Sequence, residues 1–241
     1  MLNDGKCWYT TTEAKGRLLM KQLLTLSVAV GVLVSMAMAV EQNSNAVGFH
    51  EHTVDSGQLI LVSPTLDNLI GNQLEDILGD QLPVNSAVFK WNGLGYDPPA
   101  IRTAFFGWQP NIPIDRGQAI FVQNANSASG ATTFSFDGEV PDYSNGGGTT
   151  SVSVTGLDGT AYPYPVDIEF GDTQTAIAAP INASVFFWNI GSQSYDAPTT
   201  KWVFFGWGPT ETRNIPVGEA YFMESPSPIL VDEVQPYELD L

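Results

Sequence analysis

The stretch LPVNSAVFKWN at residues 82–92 occurs again as APINASVFFWN at residues 179–189. Both copies are rich in β-branched and aromatic residues and are bounded by Pro and Asn, which is typical of short β-strands. Three further elements follow each copy in the same order: a Tyr-Asp pair at 96–97 and 195–196, the tetrapeptide FFGW at 105–108 and 204–207, and a glycine-led segment at 117–121 and 218–222. This order indicates an internal duplication.

The two copies are separated by residues 142–150, DYSNGGGTT, whose composition is typical of a flexible linker. We therefore predict an all-β fold, β-rich with one or two short helices, made of two tandem β-sandwich or barrel-like domains. The first β-repeat domain would span residues 40–141, and the second, with a C-terminal tail, residues 151–241. Each segment is long enough to form a compact domain.

Most periodic segments have the composition of strands. Predicted strands cover residues 58–62, 87–91, 118–123 and 132–137 in the first domain and residues 151–155, 184–188, 201–205 and 219–224 in the second. One segment, residues 72–79, has a helical pattern instead. Asn72 can cap its first turn, with Glu75 at the third position, and Gly79 can end it.

The N-terminal residues 1–39 have the features of an export signal. Met20-Lys21 begins a short basic region, residues 23–34 are apolar, and Ala37-Met38-Ala39 matches a cleavage site of small residues. The apolar run is shorter than the roughly 20 residues of a membrane span. We therefore predict a cleaved signal peptide, a true start at Met20, and a mature protein that is secreted or held at the cell surface, with no membrane span after cleavage.

The charge and cysteine content exclude several classes of function. The net charge is −17, and without residues 1–39 there are 24 acidic and 5 basic residues, a balance of −19. Binding to nucleic acids or to anionic membranes needs clustered Lys and Arg, so neither is expected. The only cysteine, Cys7, precedes the predicted cleavage site, so the mature chain would contain no disulfide, thiolate metal site or thiol nucleophile.

The order of elements resembles a known group of proteins. A Val47-Gly48-Phe49 start and an apolar strand ending in Ser63-Pro64 precede a helix, a Trp-Asn strand end, a Tyr-Asp turn, a Gly-Trp and a final Gly-aromatic strand. This pattern is similar to exported, uncharacterised tandem β-repeat proteins of Verrucomicrobia and related bacteria, and to bacterial surface β-modules of the form GWNLIS-P…W…Y…PGxGYW. The resemblance implies export and a β-fold, and it carries no catalytic residues. Residues 162–165, YPYP, stand where the first strand of the second domain would begin.

The repeated aromatic residues allow two interpretations. In strand 87–91, Phe89 and Trp91 share one face, and the second copy keeps this face as Phe186 and Trp188. A face that is kept while the other varies favours packing in a core, and the glycine of FFGW would let its Trp fold back onto the sheet. The alternative is a surface on which sugars stack, formed by the four repeated tryptophans Trp91, Trp108, Trp188 and Trp207.

Other candidate sites are weaker. His50-Glu51-His52 has a spacing that can hold zinc or copper, but no third ligand is indicated, and we predict a solvated strand edge. Acidic residues near Asp76, Asp80, Asp158 and Asp172 could gather calcium, yet no calcium-binding loop motif arranges them. We therefore predict no metal site and no cofactor.

The sequence lacks the common motifs of hydrolases, metalloproteases and phosphate-binding enzymes. We predict a non-enzymatic extracellular or cell-surface protein without catalytic residues, a structural or adhesive module of two β-repeats. Its expected partners are extracellular polysaccharide or other surface proteins. The alternative is a carbohydrate-binding module that stacks sugars on exposed Trp or Tyr, and a polysaccharide-active enzyme with paired carboxylates is a third hypothesis.

Overall fold

The computed structural model describes residues 46–126, 130–141 and 148–237. The predicted signal peptide and residues 142–147 of the predicted linker lie outside the described residues. The chain from Asn45 to Leu241 forms one compact unit. The structure is β-rich, with several antiparallel sheets and two short α-helices, which confirms the predicted fold class. The duplication itself stays a hypothesis.

Fourteen strands and two α-helices are formed by the described residues. The strands are β1 Val47–Val54, β2 Leu59–Val62, β3 Ala87–Lys90, β4 Ala100–Thr103, β5 Gly107–Gln109, β6 Ile120–Gln123, β7 Thr132–Glu139, β8 Thr149–Ala161, β9 Ile168–Glu169, β10 Ser184–Asn189, β11 Ser194–Tyr195, β12 Thr199–Thr200, β13 Asn214–Ile215 and β14 Ala220–Val234. The α-helices are α1 Leu74–Leu78 and α2 Gln174–Ala178, and 3-10 turns cover Phe170–Asp172 and Gly208–Thr212.

Two sheets dominate the fold and have a similar strand order. The first runs β2-β6-β3-β4-β5, and the second runs β8-β14-β10-β11, with β12 also paired to β10. In each, the strand that precedes the Tyr-Asp turn pairs with the glycine-led final strand. Strands β1 and β7 form a separate pair, as do β9 and β13. Every pairing between named strands is antiparallel.

Most predicted strands are present with small changes of boundary. Strands β8 and β14 are much longer than predicted and pair along almost their whole length. The prediction of a strand at residues 201–205 is wrong. Trp202 and Gly206 pair with each other, and residues 203–205 form the turn between them. The predicted helix is shorter, Leu74–Leu78, and Gln73 rather than Asn72 precedes it.

Strand β8 forms the start of the second half. The tyrosine and proline residues at 162–165 follow this strand and do not replace it. The C-terminal end of β8 pairs with the beginning of β14, as β2 pairs with β6 in the first half. The second half therefore does have a first strand, which the sequence pattern left open.

Each half of the chain has its own hydrophobic core. In the first, side chains from α1 and both surrounding sheets pack together, among them Leu74, Leu78, Val88, Trp108, Phe134 and Phe136. In the second, the corresponding core includes Phe170, Ala176, Val185, Phe187, Trp207 and Tyr221. Val88 and Phe187 lie on the strand face opposite the repeated Phe and Trp. The prediction that the Phe and Trp face packs in a core is therefore incomplete, because both faces of β3 and β10 are packed.

A third cluster joins the two halves. Its buried members come from both sides of the predicted linker: Leu61, Ala119, Phe121, Ala161, Ala220 and Phe222. Main-chain hydrogen bonds connect the same region, from Ser63 N to Gly218 O at 3.0 Å and from Ala161 N to Gly117 O at 3.1 Å. The division into two domains stays a prediction, but the two halves share a core and a hydrogen-bonded seam.

Candidate functional site

Two aromatic hairpin tips project from the described fold. In the first, Phe105 and Phe106 are 91% and 77% exposed; in the second, Phe204 and Phe205 are 89% and 76% exposed. Trp202 and Val203 lie exposed next to the second pair. We call these two segments, residues 104–106 and 202–205, the aromatic tips. Fully burying a phenylalanine stabilises a protein by roughly 2–3 kcal/mol, so the fold forgoes that gain at each tip residue.

The glycine after each pair of phenylalanines allows the tight turn. Gly107 has φ +61° and Gly206 has φ +52°, a region that L-residues other than glycine seldom adopt. A carboxylate lies against each of these glycines, from Glu75 in the first half and from Glu211 in the second. A Cβ at either position would displace that carboxylate.

The tryptophan after each glycine turns inward. Trp108 and Trp207 are 0% and 2% exposed. The main-chain N–H of Trp108 donates to Glu75 Oε2 at 2.9 Å, and its indole N–H donates to Gly79 O at 3.0 Å. Trp207 makes the same pair of bonds to Glu211 Oε1 and Ala176 O, at 3.1 and 3.0 Å.

The burial of Trp108 and Trp207 corrects the prediction that sugars stack on them, because neither ring offers a free face. It agrees with the other prediction, that the tryptophan of FFGW folds back onto the sheet. The prediction of core packing does not hold for the two phenylalanines of each tetrapeptide. FFGW therefore combines two exposed rings with one buried anchor.

Trp91 and Trp188 lie at the contact between the halves, and both are half-buried. The indole N–H of Trp91 donates to Leu157 O of the second half at 2.8 Å. The indole N–H of Trp188 donates to Leu59 O of the first half at 3.0 Å. In each half, therefore, one tryptophan indole donates a hydrogen bond to a strand of the other half.

The rings around these tryptophans are arranged reciprocally. Trp91 packs edge-on to Phe222 with centroids 5.6 Å apart, and Trp188 packs edge-on to Phe121 at 4.8 Å. Each tryptophan also meets the tyrosine of its own turn, at 5.0 Å for Tyr96 and 5.1 Å for Tyr195. The repeated Phe and Trp face thus builds the contact between the halves.

An open aromatic cleft of 310 Å³ lies in this region. It is lined by Leu59, Phe89, Tyr96, Phe121, Trp188 and Tyr195. We call it the aromatic cleft. Its two tyrosines are 44% and 38% exposed, and their hydroxyl oxygens are 3.4 Å apart.

The tyrosines of the aromatic cleft stay uncharged in water. Burial raises the pKa of Tyr96, and burial together with the hydrogen bond to Tyr96 raises the pKa of Tyr195. Both phenols therefore remain protonated at any physiological pH, since their ordinary pKa is already about 10. None of the five basic residues after residue 39 lines the cleft.

The two histidines do not form the solvated strand edge that the sequence predicts. His50 Nδ1 and His52 Nε2 are 3.0 Å apart, and the rings pack against Phe136 and Phe134. Burial lowers the pKa of His50 to about 4, and burial together with the neighbouring His50 lowers the pKa of His52 to about 3. The pair is therefore neutral at neutral pH, and its half-buried rings pack on the phenylalanines of β7.

A second cleft, of 420 Å³, has charged walls. Arg213 crosses part of it, donating to Asp196 Oδ2 at 3.4 Å and to Glu219 Oε1 at 2.9 Å. Its guanidinium also lies over the Phe187 ring, 3.7 Å from the centroid. These contacts join three segments of the second half, and the charge of Arg213 is paired with the carboxylates of Asp196 and Glu219.

The acidic residues that could have bound calcium are scattered. Within the described ranges, no three His, Cys, Asp or Glu side chains come close enough to hold a metal ion. Asp80 and Asp172 are exposed, while Asp76 accepts a hydrogen bond from Gln73 N at 3.2 Å.

No helix in the part of the chain that the structure describes is long and apolar enough to cross a membrane.

Comparison of the chain with protein-family models, with curated proteins and with solved structures finds no match. The geometry alone therefore supports a proposal of function. The sequence pattern did not predict that the two Phe-Phe pairs are exposed, nor did it predict the cleft between Tyr96 and Tyr195. The signal for the tips was present, because two phenylalanines precede a glycine that demands a turn in each copy. The signal for the cleft was the repeated Tyr-Asp pair, which the sequence shows only as a turn.

Proposed function

We propose that the protein is an exported, non-enzymatic binding module that holds another surface protein of the cell exterior through its two aromatic tips. The observation that carries this proposal is the exposure of four phenylalanine rings at two matching turns. Contiguous exposed apolar groups on a soluble protein mark interaction sites. Aromatic residues, phenylalanine among them, are also enriched at protein interfaces.

The structure around the tips supports this role. The buried tryptophan and the carboxylate that accepts its N–H fix the base of each turn, so the exposed rings are presented by a rigid support. A rigid, preorganised surface loses less conformational entropy on binding. Two tips in one chain would also allow two weak contacts to act together, which raises overall affinity when a partner can reach both.

Carbohydrate binding, the alternative interpretation, has less support. Two of the four tryptophans considered for it are buried. The other two use their indole N–H groups in hydrogen bonds between the halves. A polysaccharide-active enzyme would need paired carboxylates in a cleft. The aromatic cleft contains none, and Asp196 and Glu219 of the second cleft both accept hydrogen bonds from Arg213.

The test uses labelled protein beginning at Val40 and intact cells of the source organism. Replacing Phe105, Phe106, Phe204 and Phe205 by Ser should abolish binding to the cells, because the tips supply the contact. The matched control carries Ile70→Ser and Leu94→Ser, which remove exposed apolar side chains elsewhere. Equal binding by the tip variant and the control would contradict the proposal.

Localisation is tested separately by fractionating the cells. Recovery in the medium or at the cell surface, with an N-terminus at Val40, is the expected result. Recovery in the cytoplasm with an intact N-terminus would contradict the exported role.

A further inference from the structure

The aromatic cleft combines three properties that narrow the chemistry of its ligand. Its lining consists of five aromatic rings and one leucine, its polar atoms are few, and its volume of 310 Å³ lies within the range of small-molecule sites. Neighbouring rings meet steeply: Trp188 and Phe121 at 79°, Trp188 and Tyr195 at 80°, Tyr96 and Phe121 at 62°. The rings therefore do not lie in one plane, and the open cleft has angled aromatic walls rather than one flat platform.

A sugar fits the aromatic cleft poorly. Sugar hydroxyls need hydrogen-bonding partners when they leave water, because an unpaired buried hydroxyl is costly. The two phenol hydroxyls lie 3.4 Å from each other, within reach of a mutual hydrogen bond, and the indole N–H of Trp188 is bonded to Leu59 O. A flat platform for one sugar face is also absent, since the rings stand edge to face.

A quaternary ammonium group fits it well. Such a cation carries no N–H group and needs no hydrogen bond, and it is attracted to the negative faces of aromatic rings. A primary ammonium, in contrast, would lose hydrogen bonds to water that the cleft cannot replace. The charge of the chain acts in the same direction, because an excess of acidic residues draws cations toward the surface.

We propose that the aromatic cleft binds a small, free quaternary ammonium compound that carries a trimethylammonium group. The binding residues are Tyr96, Trp188 and Tyr195, whose rings line the cleft, with Phe121 packed behind them. The site is distinct from the aromatic tips and is formed by residues from both halves of the chain. A free compound is favoured over a lipid headgroup because the cleft lies at the contact between the halves, and none of the exposed tip residues that could enter a bilayer lines it.

The test titrates the protein with tetramethylammonium chloride and with choline chloride. Binding is followed by calorimetry and by the upfield shift that aromatic rings impose on the methyl protons of the probe. A neutral isostere of choline, 3,3-dimethylbutan-1-ol, should bind about 10-fold more weakly, because it lacks the cation–π attraction. Sodium chloride at equal concentration controls for ionic strength.

Two variants of one residue separate the role of the ring from that of the hydroxyl. Tyr195→Phe keeps the aromatic face and should bind choline within about 3-fold of the unmodified protein, whereas Tyr195→Leu should weaken binding about 10-fold. Circular dichroism checks that both are folded. Should Tyr195→Leu prove unfolded, Tyr96→Leu repeats the test at the other side of the cleft. The tip variant, with its four Ser substitutions, should bind choline normally, so failure of this proposal and failure of the proposed function give different results.

Several outcomes would overturn the inference. Equal binding of choline and its neutral isostere would show an ordinary apolar pocket. Binding of methyl glucoside but not of choline would favour the carbohydrate interpretation. Binding only to phosphatidylcholine vesicles, or no shift with either cation at about 50 mM, where even a millimolar dissociation constant gives near saturation, would also contradict it.

Discussion

The shared cluster between the halves predicts that the two halves unfold as one cooperative unit. Phe121 and Phe222 are the test positions, because they come from different halves, are 5% and 3% exposed, and lie with their centroids 6.5 Å apart at an interplanar angle of 21°. Truncating a buried phenylalanine to alanine costs about 3–5 kcal/mol through lost burial and the cavity it leaves. With a urea m-value of about 2–3 kcal/mol/M for a chain of this size, each substitution should lower the midpoint by roughly 1–2.5 M.

The assay is urea unfolding of the chain beginning at Val40, followed by tryptophan fluorescence and by far-ultraviolet circular dichroism. The two signals should coincide in a single transition, and Phe121→Ala and Phe222→Ala should shift that whole transition. The double variant should lose less than the sum of the two losses, because residues in contact are not additive. The matched control is Phe170→Ala, which removes a ring buried only in the core of the second half.

Two separate unfolding transitions, of which Phe121→Ala shifts only one and Phe222→Ala only the other, would contradict unfolding as one cooperative unit. That result would also support two independent domains at residues 40–141 and 151–241. A strictly additive double variant would show that the contact between the two rings contributes nothing.

Three further substitutions test individual contacts by the same unfolding assay. Glu233→Ala should lower the free energy of unfolding by about 3 kcal/mol or more, because this buried carboxylate accepts two main-chain N–H bonds and one hydroxyl bond at the start of α2; no loss would contradict it. Gly206→Ala should cost about 2 kcal/mol, since alanine is strained at a φ of +52° and its Cβ would displace the Glu211 carboxylate. The folded pKa values of His50 and His52 lie below the unfolded value of 6.5, so the pair stabilises the fold above pH 6.5 and this stability is lost as pH falls toward 4 and 3. The loss of stability is at most about 1.4 kcal/mol per pH unit for each histidine, and it is smaller for a half-exposed ring. His52→Phe should therefore make the free energy of unfolding depend less on pH between pH 6.5 and 5. An unchanged slope would contradict the lowered pKa of His52.

The strands were predictable because they depend on local composition. The segment Ala87–Lys90 carries its strand propensity in its own sequence, and its turn residues lie directly beside it. Residues 201–205 have a similar composition, but residues 203–205 form a turn. A glycine at the next position with a positive φ lets the chain reverse there, and tertiary contacts override the propensity of single residues.

The candidate sites were less predictable, because they depend on distant residues. The burial of Trp108 requires Gly79 and Glu75, about 30 residues away, and nothing in FFGW itself specifies these partners. The aromatic cleft needs Tyr96 and Tyr195, which the sequence separates widely. The alternation of Phe89 and Trp91 was visible, yet alternation gives only a shared face and not the surface that the face contacts.

The aromatic tips remain the feature that packing does not explain. Within each FFGW, the glycine is needed for the turn and the tryptophan for the core, so folding accounts for both. The preceding phenylalanines contribute little to the fold, and a polar residue at these turn positions would make the protein more soluble. Both halves nevertheless place two phenylalanines there. A binding role supplies the reason that stability does not. It predicts that Ser at all four positions leaves the free energy of unfolding unchanged within about 0.5 kcal/mol and abolishes binding of the partner. A large loss of stability instead would show that the rings serve the fold.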